Sequence, residues 1–375
     1  MKYKSVGRLT KVLLSGQFAF SMLAITASIL FIKNAQFQNE MDLGFDTEQI
    51  IVVRYGGDEN VFEPLRSTLA ANPKISMIAG SVDHVGRRYH NALITHEGVD
   101  INIVGLDVGP NYLETVELEL TLGRDFNGDK ASDYEEGVII NESLARELAT
   151  DNPIGQKLVY ADTVNYYVIG VVKDFHFDSF QSAIQPLWLR LKKPEEYNYL
   201  IAKTNPAMVS SVMSEIKMTW RNLFNTEVRD IKAPDYARNQ AQTINGIVLK
   251  VLIFMGVVLA IMSIIGFYSL VSLNLFGRMK EIGVRRVLGS SVISVIGVIN
   301  KDYIWVLLVG TVSGALISYL TIPMLMSTIW SSHIPGNIGL TVFSILLMLL
   351  TCAFTVGFRV FFASTVSPTL LLRDE

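Results

Sequence analysis

From Tyr303 to Phe358 the 375-residue chain has no acidic or basic side chain, a run too long for a single helix to bury and one that only an apolar solvent readily accepts. Pro335 and Gly336 place a tight turn at Ser331 to Asn337. The run therefore divides into two spans, Tyr303 to Ile329 and Ile338 to Phe361, with Arg359 near the end of the second. Two earlier stretches share this character. Val12 to Ile32 is 21 uncharged residues bracketed by Lys11 and Lys33. At ~1.5 Å per residue a helix of that length is about 31 Å long, matching a hydrocarbon core of ~30 Å. Val251 to Phe276 is also uncharged. Hydrophobic residues make up 50% of the chain and are clustered, so the expected fold is a membrane protein with four transmembrane α-helices and a large α+β extracytoplasmic domain between helices 1 and 2.

Lysine and arginine set the orientation. Lys2, Lys4, Arg8 and Lys11 precede the first span, and Arg278, Lys280, Arg285, Arg286 and Lys301 lie between the second and third, while Ser331 to Asn337 has none. The basic segments are expected in the cytoplasm. The layout is then a cytoplasmic N-terminus (1–11), helix 1 (12–32), an extracytoplasmic domain (33–245), helix 2 (246–276), a cytoplasmic loop (277–302), helix 3 (303–329), an external turn (330–337), helix 4 (338–361) and a cytoplasmic tail (362–375). A cleaved signal peptide is the competing reading of the first span. Its apolar run exceeds the usual ~7–15 residues and no convincing A-x-A site precedes Lys33, so a signal anchor is expected.

Residues 34–245 carry 31 acidic and 19 basic side chains, a net of −12, whereas the rest carries 13 basic and 4 acidic, a net of +9. An acidic outer domain argues against nucleic acid as its partner. The single cysteine, Cys352, lies in the fourth span, so packing and not a disulfide framework must hold that domain together. Strands are expected at Ile50 to Arg54, Ile75 to Val82, Gly137 to Ile140, Tyr166 to Val172, Pro186 to Leu191 and Tyr199 to Lys203, runs rich in β-branched or aromatic residues. A helix is expected over Pro206 to Phe224, capped by Asn205, with Val209, Val212, Met213, Ile216, Trp220 and Leu223 on one face. A shorter one is expected over Glu142 to Ala149. The favoured arrangement is a strand-helix-strand unit at each end with the middle third inserted.

Motifs that signal chemistry are missing: the sequence has no G-x-x-x-x-G-K-[ST], H-E-x-x-H, C-x-x-C or G-x-S-x-G. Neither catalysis nor a cofactor or metal site is expected in this chain. His84, His90 and His96 recur every six residues, which suits neither one helix face nor a zinc pattern, and they read as surface or loop histidines. Asp174 and His176 follow a strand but have no nucleophile or second carboxylate beside them, so Asp174 is expected to hold a strand-end turn. The outer domain shows no stacked aromatics or cationic cluster that would select a ligand class.

The cytoplasmic loop contains RMKEIGVRRVLGSS, Arg278 to Ser291. As a helix it pairs Glu281 with Arg285 at i,i+4 in the favoured polarity, and Met279, Ile282 and Leu288 form a loose apolar edge. Gly289 stops that helix, and Ser290 or Ser291 caps a following one through Val292 to Ile299. Gly283 inside a helix is unfavourable by about 1 kcal/mol relative to alanine, which asks for a reason such as close approach by a partner. A basic helix on anionic membrane lipid and a docking element for another protein fit these residues equally well.

The string R-x-K-E-I-G-V-R-R-V-L-G-S-S resembles the conserved cytoplasmic element of FtsX-like permeases, the membrane subunits of the ABC transporter class that includes macrolide exporters and lipoprotein-releasing complexes. LTLGRDF (Leu120 to Phe126), GVIINESLARELATDNPIGQKL (Gly137 to Leu158), YYVIGVVKDFHFDSF (Tyr166 to Phe180) and IQPLWL (Ile184 to Leu189) resemble, in order, blocks of the family's MacB-like periplasmic core domain. SPTLLLR, Ser367 to Arg373, resembles its C-terminal motif. The resemblance implies a coupling helix seated in an ATPase cleft, with Arg278, Lys280, Glu281, Arg285 and Arg286 as charged contacts and Gly283 and Gly289 permitting close approach. It implies ATP and magnesium in partner ABC ATPase subunits, a second permease unit (identical or not), an adaptor in the periplasm or outer membrane, and a place in the bacterial inner membrane. Function would then be mechanotransmission, exporting or extracting a peptide, antibiotic or lipoprotein.

Spans one and three, and the fourth up to Arg359, have no acidic or basic side chain, which argues against a polar pore. A regulator pulling on a cell-wall hydrolase shares the same membrane design. A ligand-sensing receptor is disfavoured because the chain ends at Glu375, soon after the fourth span, without an output domain.

Overall fold

A computed structural model describes residues 8–46, 48–150, 152–161, 163–178, 182–228, 230–232, 243, 246–259, 261–262, 265–266, 292–336 and 338–350, with 8–10 and 292–304 defined by backbone alone. The chain divides into two compact units, Met1–Phe37 with Gln242–Glu375, and Gln38–Ala241.

The first unit is helical. With neither proline nor a glycine pair near Lys33, the uncharged run does not end the first helix there, and α1 spans Arg8–Glu40. Helix α7 is Gly246–Leu259 and α9 is Ile338–Leu350. Between them α8 spans Val292–Ile329, so the short capped helix and the third span expected separately are one 38-residue helix that passes through Lys301 and Asp302. Residues 331–336 are non-helical, as Pro335 and Gly336 require. Among the described residues, Lys11–Glu40 and Trp305–Ile329 are long and apolar enough to cross a bilayer, and α7 and α9 are shorter apolar helices. Residues 267–276 and 351–361, the later parts of the second and fourth expected spans, lie outside the described residues.

Polarity in this unit is the reverse of a water-soluble bundle. Ser21, Thr26, Thr311, Ser318 and Ser344 are buried, while Phe254, Trp305, Leu320, Met324 and Leu350 are exposed. Water would not solvate such a surface stably; lipid does. Helices α1 and α8 approach through small residues. A Cβ at Gly310 would lie 2.7 Å from both the Ser15 carbonyl oxygen and Phe18 Cβ, and one at Gly314 would lie 2.7 Å from the Ala19 carbonyl oxygen and 2.8 Å from Met22 Cβ. Only hydrogen fits at either position. The pairs of positions rise together along both helices, so α1 and α8 run parallel.

The second unit is α+β and has two parts built on one sheet. Strands β1 (Ile50–Arg54), β2 (Ile75–Ser81), β10 (Tyr199–Thr204) and β11 (Asp230–Lys232) lie in the order β11-β1-β10-β2, each antiparallel to its neighbour. Helix α2 (Phe62–Ala70) connects β1 to β2 and α6 (Val209–Phe224) connects β10 to β11, which gives a ferredoxin-like split pair of strand-helix-strand units. Their apolar faces meet the sheet through Leu65, Leu69, Val212, Ile216 and Trp220 against Ile51, Val53, Leu200 and Ala202. The Asn205 side chain accepts from the Ala207 N–H at 3.0 Å, as a cap should, but the first turn, Pro206–Met208, is a 3-10 helix. Leu223 is exposed and Phe224 packs inward instead, because the tighter first turn rotates the later positions.

Everything between β2 and β10 is an insertion. Strands β3 (His90–His96), β4 (Val99–Val108), β6 (Gly137–Asn141), β7 (Lys157–Tyr160), β8 (Val164–Val172) and β9 (Leu187–Leu191) pair in the order β4-β3-β7-β8-β6-β9, and β9 pairs back onto β4. Six strands thus close a ring, with β4–β9 and β6–β8 parallel and the other pairs antiparallel. Ile94, Ile101, Ile103, Val138, Ile140, Leu158, Val168 and Trp188 share one core with Leu144 and Leu148 of the segment that begins with α5 (Glu142–Glu147). Strand β5 (Leu120–Gly123) flanks β8, and the short helices α3 (Tyr112–Val116) and α4 (Ala131–Glu135) complete the insertion. In the β2–β4 ladder a single residue pair, Ser81 with Val108, joins the two parts.

Candidate functional site

Arg278, Lys280, Glu281, Gly283, Arg285, Arg286 and Gly289 all lie outside the described residues. The helices on either side are described. Helix α7 leads toward the segment and α8 begins at Val292, the residue after Ser291.

In the outer domain the fold assembles a polar group that sequence spacing does not reveal. Asp107 on β4 and Arg190 on β9 are register partners on adjacent parallel strands. The guanidinium donates from Nε to Oδ1 and from Nη2 to Oδ2, both at 2.8 Å, with Arg190 13% and Asp107 10% exposed at the side chain. His90, at the start of β3, has Nδ1 3.0 Å from Asp83 Oδ2 and Nε2 3.4 Å from Arg190 Nη2. A guanidinium can only donate, so Nε2 accepts and Nδ1 donates to Asp83. Asp83 Oδ2 also accepts the Asp107 N–H at 3.2 Å. The Arg190 guanidinium carbon lies 5.5, 5.8 and 5.4 Å from the rings of Tyr160, Tyr166 and Trp188. The aromatic and cationic cluster not evident along the sequence therefore exists, inside one end of the six-stranded ring.

Asp83, His90 and Asp107 offer one ligand atom each within 4.8 Å of one another, a spacing that suits a metal ion. Both oxygens of Asp107 are already engaged by Arg190, and a divalent cation would have to share the site with that fixed positive charge. The donor set fits an internal ion pair better than a metal centre. It contains no nucleophile, and its contacts tie the chain just after β2 to β3, β4 and β9.

The histidines correct the sequence expectation. His84 does lie in the loop between β2 and β3 but is buried, His90 is partly exposed at the start of β3, and His96 is buried at the end of β3. The three also bind separately, His84 Nδ1 to the Tyr112 hydroxyl at 2.9 Å and His96 Nδ1 to the Lys157 carbonyl at 3.0 Å. Burial, with Arg87 nearby, pushes the His84 pKa down to about 3. Tyr112 accepts from the Val85 N–H at 3.3 Å and donates its own proton to the neutral imidazole.

Asp174 does not hold a turn of its own, and the fold brings the Ser143 hydroxyl and the Glu142 carboxylate, which accepts the Asp174 N–H at 3.3 Å, beside it, neighbours that the sequence did not show. Its carboxylate accepts from the Ser143 N–H and hydroxyl at 2.9 Å each and from Arg146 at 2.7 Å, tying the end of β8 to the first turn of α5. At that turn the Asn141 side-chain oxygen accepts from Leu144 N–H and Leu187 N–H, 2.9 Å each.

A helical unit with a lipid-type surface and an inserted α+β domain is the architecture of a membrane protein whose soluble part is carried between its first and second apolar helices. Residues 18–219 match the MacB-like periplasmic core domain family, and residues 253–368 match the FtsX-like permease C-terminal family. The first match covers over half of the chain, which therefore belongs to the FtsX-like permeases with a MacB-like periplasmic core domain. It is a membrane permease with a periplasmic domain, and neither matched family is catalytic.

Among similar proteins, the macrolide export ATP-binding/permease protein MacB of Aggregatibacter actinomycetemcomitans is 22% identical over 221 residues, covering 56% of this chain and 34% of that protein. MacB of Agrobacterium fabrum is 23% identical over 243 residues, covering 60% and 36%. The chain thus spans about a third of the length of these relatives. Two solved structures are also similar. The periplasmic region of MacB from Actinobacillus actinomycetemcomitans has TM-score 0.39 and 16% identity, covering 56% of this chain and 98% of that one. The extracellular domain of the noncanonic ABC-type transporter YknZ from Gram-positive bacteria has TM-score 0.37 and 14% identity, covering 49% and 98%.

Proposed function

We propose that this chain is the permease subunit of an ABC-type transporter of the bacterial inner membrane, crossing it four times and passing motion from cytoplasmic ATPase subunits to its periplasmic domain. The observation that carries this reading is the joint, ordered match of the two family domains, the second of which contains a string, Arg278 to Ser291, that resembles the family's coupling element. The parallel packing of α1 and α8 supports it, since parallel helices begin on the same side of the membrane and Arg278 to Ser291 directly precedes α8. The substrate is expected to be handled outside the membrane, as a peptide, antibiotic or lipoprotein. Two permease copies, or this chain and a homologue, work with two ATPases that bind ATP and magnesium, and a periplasmic or outer-membrane adaptor completes the export route.

Reversing one charge tests the reading. Glu281→Arg is expected to leave the protein folded and in the membrane while ATP hydrolysis by the co-purified ATPase no longer drives export. Unchanged coupling would return the segment to a lipid-contact role. A stable lone monomer in mild detergent, with no ATPase bound in any nucleotide state, would count against the whole assembly.

A further inference from the structure

Helix α1 runs unbroken from Arg8 to Glu40 and leads into the outer domain, while α8 starts where the coupling segment ends. We infer that α1 and α8 form one rigid two-helix lever, and that this pair carries displacement of the cytoplasmic segment to the periplasmic domain. The inference rests on the proposed function and names the route it takes through this chain.

Contacts between the two helices recur along most of their length and differ in kind. Ser15 Oγ donates to the Val306 carbonyl at 3.2 Å. Gly310 and Gly314 then bring the backbones together at the distances given above. Further along, the rings of Phe31 and Trp330 meet edge-on with centroids 5.2 Å apart. Just past α8, the Asn34 side chain accepts from the Ile334 N–H at 3.1 Å. Ser15 to Asn34 is about 28 Å of helix at ~1.5 Å per residue. A pair held at both ends and touching backbone to backbone in the middle cannot splay from either end without breaking the backbone approach and the contacts at the far end.

Axial slip is resisted too. Moving α8 by one residue, ~1.5 Å, would bring side-chain atoms toward the Ala19 carbonyl, where a Cβ at Gly314 would already be only 2.7 Å away. Close-packed helix contacts of this kind have discrete arrangements and no continuous path between them. The contact of α1 with the chain following α7 is of another sort. A Cβ at Gly266 would meet Leu14 Cδ2 at 2.9 Å and Gln17 Oε1 at 3.0 Å, the ends of side chains that can swing away, and one at Gly256 would meet nothing within 4 Å. Ser21 Oγ also donates to the Leu259 carbonyl at 3.3 Å at the end of α7, so α1 is held on that side through side chains, in place of the glycine-mediated backbone approach it makes to α8.

The test uses the full chain with Cys352→Ser, reconstituted in lipid nanodiscs with its co-purified ATPase. Its readout is the labelling rate of a cysteine introduced by Leu93→Cys, an exposed outer-domain position, with and without ATP. The lever predicts loss of the ATP-dependent rate change in Gly314→Leu with the ATPase still bound, and its retention in Gly256→Leu. It also predicts retention when Met22→Cys and Gly314→Cys are joined by a disulfide, because the two helices already move as one. A rate change that survives Gly314→Leu, or that the disulfide abolishes, overturns the lever. If Gly314→Leu does not fold, the disulfide arm decides alone. Failure of any ATPase to co-purify with the parent chain sinks the functional reading and the lever with it, an outcome distinct from either of the others.

Discussion

Replacing Asp107 by alanine leaves the Arg190 guanidinium, 13% exposed, facing three aromatic rings without its counter-ion. Breaking a buried pair from one side destabilises by about 3–5 kcal/mol, because a charge remains where water cannot reach it. Here the Tyr166 hydroxyl, 3.4 Å from Nη1, and His90 Nε2 still accept hydrogen bonds, so the lower end, about 3 kcal/mol, is expected. The double variant Asp107→Leu with Arg190→Met removes both charges and keeps most of the volume. Its expected loss is about 1 kcal/mol, since apolar replacements of buried ion pairs are often near neutral. Hydrogen exchange on the full chain reads the difference in peptides covering β9. At ~1.4 kcal/mol per tenfold, Asp107→Ala should speed exchange there by about 100-fold and the double variant by less than tenfold. A double variant as fast as the single would mean that removing the stranded guanidinium recovers nothing, and the argument from an uncompensated buried charge would be wrong.

Asp174→Ala removes two hydrogen bonds to Ser143 and the contact with Arg146, whose exposed side chain makes that contact worth little. The expected loss is about 1–3 kcal/mol, seen as faster exchange in α5 with β1 and β10 unaffected; protection unchanged in α5 would refute the tie. His84 gives a pH dependence whose sign follows from its depressed pKa. The unfolded chain takes up a proton near pH 6.5 and the folded protein only near 3, so stability present above pH 6.5 is lost progressively as pH falls between those values. The slope reaches ~1.4 kcal/mol per pH unit, and between pH 7 and 5 the native chain should lose about 2 kcal/mol more than His84→Gln in urea titrations followed by tryptophan fluorescence. Equal losses would show that His84 is not the group responsible.

The ferredoxin-like part is readable because its local signals agree. Strands β1, β2 and β10 are rich in apolar residues, and α6 follows a capped, proline-led 3-10 turn and carries an apolar stripe that holds as far as Trp220. The inserted ring is readable only in part. β6, β8 and β9 are visibly apolar, but β4 carries Asp100, Asn102, Gly105 and Asp107, residue types that weaken a strand signal. They are tolerated because Asp100 and Asn102 are outward and exposed, while Asp107 meets Arg190 across the ladder. Helix α2 is hidden for a similar reason: Phe62, Leu65 and Leu69 form a stripe, but Pro64 in the first turn reads as a break unless the helix start is known.

Site residues differ from fold residues in what a sequence can say about them. Asp83, His90, Asp107 and Arg190 come together only because β9 crosses back to lie parallel to β4, a long-range pairing that no local pattern encodes. The Arg278 to Ser291 segment is the opposite case. Its string is legible, yet the residues alone fit a lipid surface as well as a protein cleft, and the proposed docking role rests on resemblance. Gly310-x-x-x-Gly314 stands between these extremes. The spacing is plain in the sequence, as is its ability to bring two helices together, but which helix it meets is a tertiary fact. With α1 as the partner, the two helices begin on the same side, and in the proposed membrane topology that parallel geometry constrains the side of Arg278 to Ser291 independently of its charge.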